Sequence, residues 1–458
     1  MDRRGGEVTS LILDQLEKPH SLVSNWSDLK ALLRTYGPPS LQGLREESIR
    51  KFEAVGFPNH RSEEFKYTSL RALQETPFKP AYGAIVAKND WRKTPIGRLE
   101  AANLVFVNGE YTPELSDVQG LPEGVILMPL QEALEVDQDL VMTHLAQIAT
   151  LEGRLGTTND ERFVWLNNAH LGEGAFLYVP KGVVVETPIH LVFMSKADHG
   201  AFAAFPRVLI VAEENAQVKV VETYQGMQGT YFNCALTELW LGKHANVEHT
   251  RNQFETPTAF HVATMHAYQD SGSTWTSTSS QLGAAIGRLD VNAFVNGQHC
   301  ETWLNGVYMG NEDQVLDTHT RIDHAQPNCN SFEVYKGIMD DRAKGIFNGK
   351  IFVYQDAQKT DAKQTNQALL LSRTATIDTK PQLEIFADDV KCTHGATIGQ
   401  ISQDMLFYLR SRGIPESEAR GILVYAFAAA ALEKVSIEMV KTALEKALRN
   451  KLQTRGGL

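Results

Sequence analysis

"VLIVAEENAQVKVVET", residues 208–223, decides how the chain folds. Two apolar, valine-rich runs flank the small-polar turn "ENAQV", and period-two alternation of this kind reads as strand, turn, strand. The pattern recurs in "LTELWLGKHANVEHT" (236–250), "HVATMHAYQDSGSTWTSTS" (261–279) and "FEVYKGIMDDRAKGIFNGKIFVY" (332–354), each with its own turn: "KHANV", "DSGST", "DRAKG". Setting Ala216, Ala245 and Gly272 in register gives steps of 29 and 27 residues. A loose period in that range, without intervening helices, predicts a mainly β protein built as a solenoid of stacked coils. A sandwich or barrel is the alternative, since its turns also recur regularly. None of the turns between these strands is of the Asn-Gly hairpin type, which argues against it.

Outside this core the pattern changes. Up to about residue 75 the chain reads as helical. "LREESIRKFEAVGFP" (44–58) places Leu44, Ile49, Phe52 and Val55 near one face, with a Gly-Phe-Pro stop. A mixed stretch with short apolar runs such as "NLVFVNGEY" follows. After residue 400 helices return: Ser402 is placed to cap "QDMLFYLRSR", Gly413 supplies its stop, and Pro415 opens "ESEARGILVYAFAAAALEKVSIEMVKTALEKALRNKL". The first half of that last segment is apolar around most of its circumference, which suits either packing against the end of the solenoid or docking of another protein. Three regions result: a helical and mixed region over 1–150, the β-core over 151–400, and a helical region over 401–458.

The 458 residues carry 44 lysines and arginines against 55 aspartates and glutamates, a formal net charge of −11. That balance disfavours nucleic acid, whose phosphates need a concentrated positive field. The start, "MDRRGGEVTSLILDQ", has no apolar core followed by a small-residue cleavage site, and "ILVYAFAAAAL" (422–432) falls short of the roughly 20 residues that span a bilayer. Cys234, Cys300, Cys329 and Cys392 are scattered and form no C-x-x-C pair. A reduced, cytoplasmic protein with no membrane segment is expected.

Chemical motifs are few. "GIFNGKIF" (345–352) has the wrong spacing for a nucleotide loop, and "GEGAF" (172–176) lacks the third glycine of a dinucleotide fingerprint. Asp340-Asp341 and Asp388-Asp389 are adjacent pairs, whose members on a strand would point to opposite faces and so could not share a site. His261 with His266, or Asp317 with His319, are candidate ligands lacking a third convergent group. Cys392 and His394, in "EIFADDVKCTHGATIG" (384–399), sit two apart on a strand and so share a face. Thiolate and imidazole both bind soft or borderline metals, yet two ligands do not close a tetrahedral site. Neighbouring coils complete it, another chain does, or the pair is packing.

Several ordered blocks carry a family resemblance. "FPNHRSEEFKYTSL" (57–70), "GIFNGKIFVYQDAQKTDAKQTNQALLLS" (345–372), "KPQLEIFADDVKCTHGATIG" (380–399) and "LFYLRSRGI" (406–414) resemble blocks of the SufB/SufD family of iron–sulfur cluster assembly proteins. The resemblance implies a right-handed parallel β-helix flanked by helices. It also implies a non-catalytic scaffold that pairs with a SufB-type partner through the β-helix and carries the ATPase SufC on its C-terminal helices. A homodimer is the form implied when SufB is absent, and the nucleotide belongs to SufC. Asn366 before the leucine run and Gly395 after His394 stand where SufB-type members carry a cysteine and a glutamate, which favours the SufD branch. There the Cys-x-His pair is the functional element: His394 is the implied ligand, and Cys392 the second candidate, for a transient Fe–S cluster shared with SufB. A β-helix polysaccharide lyase or hydrolase, or a purely structural interaction protein, are the rival readings.

Overall fold

The structure, a computed structural model, describes residues 20–33, 35–80, 83–150 and 160–453. The amino-terminal stretch read above for a secretory signal lies outside these. Among the described residues, no helix is long and apolar enough to cross a membrane.

Two sheets of parallel strands form the core. The first contains β4 (Ile126–Pro129), β5 (Gly174–Val179), β8 (Arg207–Ala212), β10 (Tyr231–Leu241), β12 (Phe260–Gln269), β14 (Ile286–Val295), β16 (Val315–His324), β18 (Lys344–Val353) and β20 (Thr376–Ile385) in that order, with the short β1 (Lys79–Pro80) and β7 (Phe202–Ala204) beside them. The second runs β3 (Glu110–Tyr111), β2 (Ala102–Val107), β6 (Ile189–Lys196), β9 (Gln217–Gln228), β11 (Asn246–Phe254), β13 (Thr274–Gln281), β15 (Glu301–Gly310), β17 (Asn330–Met339), β19 (Asp361–Leu370) and β21 (Lys391–Gly399). Successive strands alternate between the sheets, so each pair from β5–β6 to β20–β21 makes one of eight coils. This is the solenoid the alternation predicted, and not a sandwich. Antiparallel pairing is confined to its start, at β2–β3 and β4–β5.

Register follows one column at the start of the second sheet: Gln217, Asn246, Thr274, Glu301, Asn330, Asp361 and Lys391 stack one above another. A coil therefore takes 27 to 31 residues. The residue equivalent to Ala216 and Ala245 is Ser273, not Gly272. Gly272 sits one place earlier, where the turn needs a left-handed backbone (φ 70°).

Alternation along each strand sends one face inward. Val218, Val220, Val247, Trp275, Leu304 and Tyr335 fill the lumen with their sheet-one counterparts Leu239, Met265, Val291, Ile322 and Phe347. The outer faces are covered by the longer helices. Of these, α1 (Ser21–Leu33), α2 (Pro39–Val55) and α3 (Arg162–Ala169) lie in the N-terminal half. Leu22, Phe52 and Phe163, with Phe65 between them, pack on the outward Phe232, Phe260 and Ile286 of sheet one. On the predicted apolar face of α2, Ile49 and Phe52 are buried but Val55 is exposed, because the helix ends there and its last turn clears the sheet.

Helices α4 (Gln403–Ser411), α5 (Glu416–Ala429) and α6 (Glu438–Gln453) follow the last coil. The Ser402 side chain accepts from the Met405 N–H, and Gly413 (φ 87°) ends the turn, as the sequence indicated. The segment opened by Pro415 is two helices rather than one. Val435 is buried between them, and Ser436 bonds Glu248 of β11, so the chain turns back onto the solenoid. Val424 and Ala428 of α5 and Val440, Leu444 and Leu448 of α6 pack on Val307, Met309 and Ile338, the outer face of sheet two. The packing is thus along the side of the solenoid, not against its end.

Candidate functional site

Cys392 and His394 end two columns that run the length of the second sheet's inner face. Below Cys392 lie Ala362, Ser331, Thr302, Trp275, Val247 and Val218. Below His394 lie Gln364, Glu333, Leu304, Ser277, His249 and Val220. Both columns begin apolar and become polar toward the last coil. That coil has no further coil above it: β20 and β21 are the terminal strands of their sheets, each with one edge unpaired by the solenoid. An unpaired edge presents a row of open backbone N–H and C=O groups. Ile385, Phe386 and Ile398 are exposed there too, Phe386 at 54 % and Ile398 at 47 %.

On this coil His394 is exposed and Cys392 half-buried, packed near Ile351, Val353 and Ala362. Burial there pushes the Cys392 thiol up, and the Asp361 charge adds to it. The thiol thus holds its proton harder than an exposed cysteine. Beneath His394, Gln364 Nε2 donates to Glu333 Oε2 at 2.7 Å, while Gln364 Oε1 and Glu333 Oε1 are buried with no hydrogen-bond partner among the described residues. Burial pushes Glu333 up to about 7. A methyl group at Gly349, on the facing strand β18, would overlap the Gln364 amide, so glycine there makes room for it.

Among the described residues no group of three or more His, Cys, Asp or Glu is arranged to hold a metal ion. His261 and His266 point to opposite faces of β12. His261 Nδ1 lies 3.0 Å from Glu255 and its Nε2 contacts Arg251. It belongs to a wholly interior cluster in which His249 and Arg251 flank Glu222; burial would raise that carboxyl, but His249, Arg251 and Tyr224 hold it down to about 2.

Asp317 and His319 do share a face, but it is the outward face of β16, and the N-terminal block covers it. His319 lies 2.9 Å from Asp317 and 3.0 Å from Glu64, which also pairs with Lys350. Arg288 donates to the Glu64 carbonyl (2.6 Å) and Asp317 (2.8 Å), and Thr68 donates to Asp317 (2.5 Å). The block 57–70 is thereby tied to coils more than 200 residues away in sequence, a link no local pattern could reveal. The acidic pairs lie in turns: Asp341 accepts from the Glu312 N–H, and Asp389 pairs with Lys359.

The other three cysteines are buried on other coils. Burial pushes Cys234 well up. The neighbouring Cys329 thiol draws Cys300 down to about 7, and Cys300 in turn pushes Cys329 up.

Fold and site define a helix-flanked parallel β-solenoid whose last coil stays open and bears a thiol and an imidazole in line with its interior. Family comparison agrees. Residues 193–427 match the "SUF system FeS cluster assembly, SufBD core domain" and residues 17–191 the "SufBD protein N-terminal region". An iron–sulfur cluster assembly SufBD family protein of Synechocystis sp. is 32% identical over 445 residues, covering 94% of this chain and 93% of the relative. The iron–sulfur cluster assembly protein SufD of Escherichia coli is 30% identical over 446 residues (93% and 96%), and that of Bacillus subtilis 30% over 425 (91% and 95%). The chain belongs to the SufBD family of iron–sulfur cluster assembly proteins.

Proposed function

We propose that the chain is a SufD-type, non-catalytic scaffold subunit of a cytoplasmic cluster assembly complex. It pairs with SufB through the open last coil, binds SufC through its C-terminal region 401–458, and pairs with itself when SufB is absent. His394, with Cys392 as second ligand, meets the nascent Fe–S cluster at the SufB interface, and ATP-driven closure of SufC strains the paired solenoids to admit iron and sulfur.

The observation that carries this reading is that the two interior columns end in an exposed imidazole and a half-buried thiol on an unpaired sheet edge. Two protein ligands are half a site, and the partner supplies the rest. Gln364 Oε1 is the acceptor beneath His394. A ring N–H held there fixes the tautomer and leaves the other nitrogen for iron. For SufC, the support is α4 and α5, which leave Met405 (60 %), Phe407 (74 %), Tyr408 and Ile422 exposed.

The test is His394→Ala in the reconstituted complex with SufB and SufC. Cluster formation falls sharply if His394 is a ligand and is unchanged if it is not. Cys392→Ser has the smaller effect, and an equal or larger one reverses the order of the two.

A further inference from the structure

At the corner where each coil passes into the second sheet, one column holds Ala216, Ala245, Ser273, Cys300, Cys329 and Thr360. From Ala216 to Thr360 the corner is lined by small side chains, with Val183 and Val390 at its two ends, and on two successive coils they are thiols. Cys300 and Cys329 stand on adjacent coils one residue before the paired Glu301 and Asn330, and both Sγ atoms lie against the same carbonyl, Gly297 O, at 3.2 and 3.1 Å. The polar atoms around them are oxygens: Asp270 O at 3.2 Å and Gln298 O at 3.9 Å from Cys300, Pro327 O at 3.5 Å from Cys329, and the Ser273 hydroxyl at 3.8 Å from Cys300. The pair thus sits at the edge of the apolar core with carbonyl oxygens on its turn side, a polarity that favours a cation.

We propose that Cys300 and Cys329 form a two-coordinate site for a soft monovalent cation, Cu(I) in the cell, held between the two sulfurs. Geometry selects this over a disulfide. In-register neighbours of a parallel ladder stand about 4.8 Å apart with their Cβ atoms parallel, whereas a disulfide wants Cβ atoms roughly 3.5–4.5 Å apart. A metal between the sulfurs adds two bonds of about 2.3 Å each, which suits the coil spacing without drawing the coils together. Ligand count excludes zinc, which needs four, and thiolate softness selects Cu(I). On binding, both S–H bonds break, two S–Cu bonds form, and two protons leave to solvent; no electron is transferred. The pair is buried at the rim of the core, and Gln298, His299 and Asn328 of the turns beside it are exposed. Local opening of one turn admits the ion. This inference does not depend on the role proposed for His394.

The experiment uses the full chain, reduced and anaerobic, titrated with Cu(I) against a chromophoric Cu(I) chelator, and with Ag(I) as a redox-inert stand-in. Wild type and Cys392→Ser retain one tightly held equivalent, and absorption at the copper edge shows two sulfur scatterers. Cys300→Ser and Cys329→Ser each weaken it by more than the about 10- to 100-fold that loss of an outer-shell partner costs. Serine and threonine already occupy this column at Ser273 and Thr360, so both variants fold, as an unchanged far-ultraviolet dichroism spectrum checks. Retention of the equivalent in the double serine variant, its loss in Cys392→Ser, or no tight equivalent in wild type overturns the proposal.

Discussion

Gln364 lies directly beneath His394 in the inner column. It is 2 % exposed, its amide nitrogen is spent on Glu333, and its oxygen has no partner among the described residues, so it is the acceptor that a His394 ring N–H would use. Gln364→Leu removes that acceptor while keeping the volume, and Gly349→Ala displaces it from the facing strand. Both are expected to shift the His394 tautomer balance, read by nitrogen-15 NMR of the imidazole in the isolated protein, and to lower iron retention in the complex by about 10- to 100-fold. Unaltered ring resonances in both variants would exclude the contact. A second residue, Glu64, anchors the N-terminal block. Leaving Lys350 and His319 without its carboxylate costs about 3–5 kcal/mol in Glu64→Gln, the range for breaking a buried pair from one side. The pH dependence has a definite sign. Burial and Arg288 lower His319, but Asp317 and Glu64 raise it overall, so its contribution is full below its unfolded value of about 6.5 and is lost as pH rises through the raised folded one. Glu64 is held below its ordinary value and Asp317 at about 2, so theirs is full above about 4 and lost as pH falls through those lowered values. The melting-temperature gap between wild type and Glu64→Gln should therefore be widest between about pH 5 and 6 and narrow on both sides.

Among the elements, α4 is short, well capped and poorly covered. Leu406 is its one buried residue, while Met405, Phe407 and Tyr408 face solvent. Phe407→Ser should leave stability within about 0.5 kcal/mol, as surface changes do, yet weaken SufC binding by at least about tenfold if α4 is a docking anchor; calorimetric titration of SufC into the chain decides. Strands were legible because period-two alternation repeats in every coil, and Ser402 and Gly413 announced the ends of α4 by capping chemistry. The break between α5 and α6 was not legible. "LEKVSIEMV" carries no proline or glycine, and the turn is imposed by Ser436 bonding Glu248 and by Val435 entering the sheet-two face, both long-range events. The one-place slip at Gly272 has a similar cause: the glycine marks the turn, whereas register is set by the buried Ser273 beside it. Cys392 and His394 were legible as a same-face pair, but Gln364 and Glu333 became neighbours only through coil stacking at about 30 residues' separation.

At the scale of the molecule, eight coils at about 4.8 Å make a rod near 40 Å long, closed at its start by the antiparallel β2–β3 and β4–β5 pairs and open at its end. Helices cover both outer faces, N-terminal ones on sheet one and C-terminal ones on sheet two, and the Glu63–Lys380 pair fastens the N-terminal block to β20 itself. The exposed surface of the last coil therefore combines an unpaired edge, three apolar side chains and the Cys392–His394 pair on a rigidly held frame. A partner that extends the sheets would pair with that edge and cover Phe386 and Ile398 together, the arrangement in which apolar anchors carry most of the binding energy. Phe386→Asp, on an exposed side chain, should leave the melting temperature of the isolated chain nearly unchanged. It should weaken association with SufB by roughly 2 kcal/mol or more, about 30-fold, by burying an unpaired charge at the interface. His394→Ala removes a ligand but little contact area and should leave association almost intact while cluster formation fails. Measuring both quantities on both variants separates assembly from ligation: if Phe386→Asp binds SufB as wild type does, the open coil is not the pairing surface, whatever becomes of the cluster.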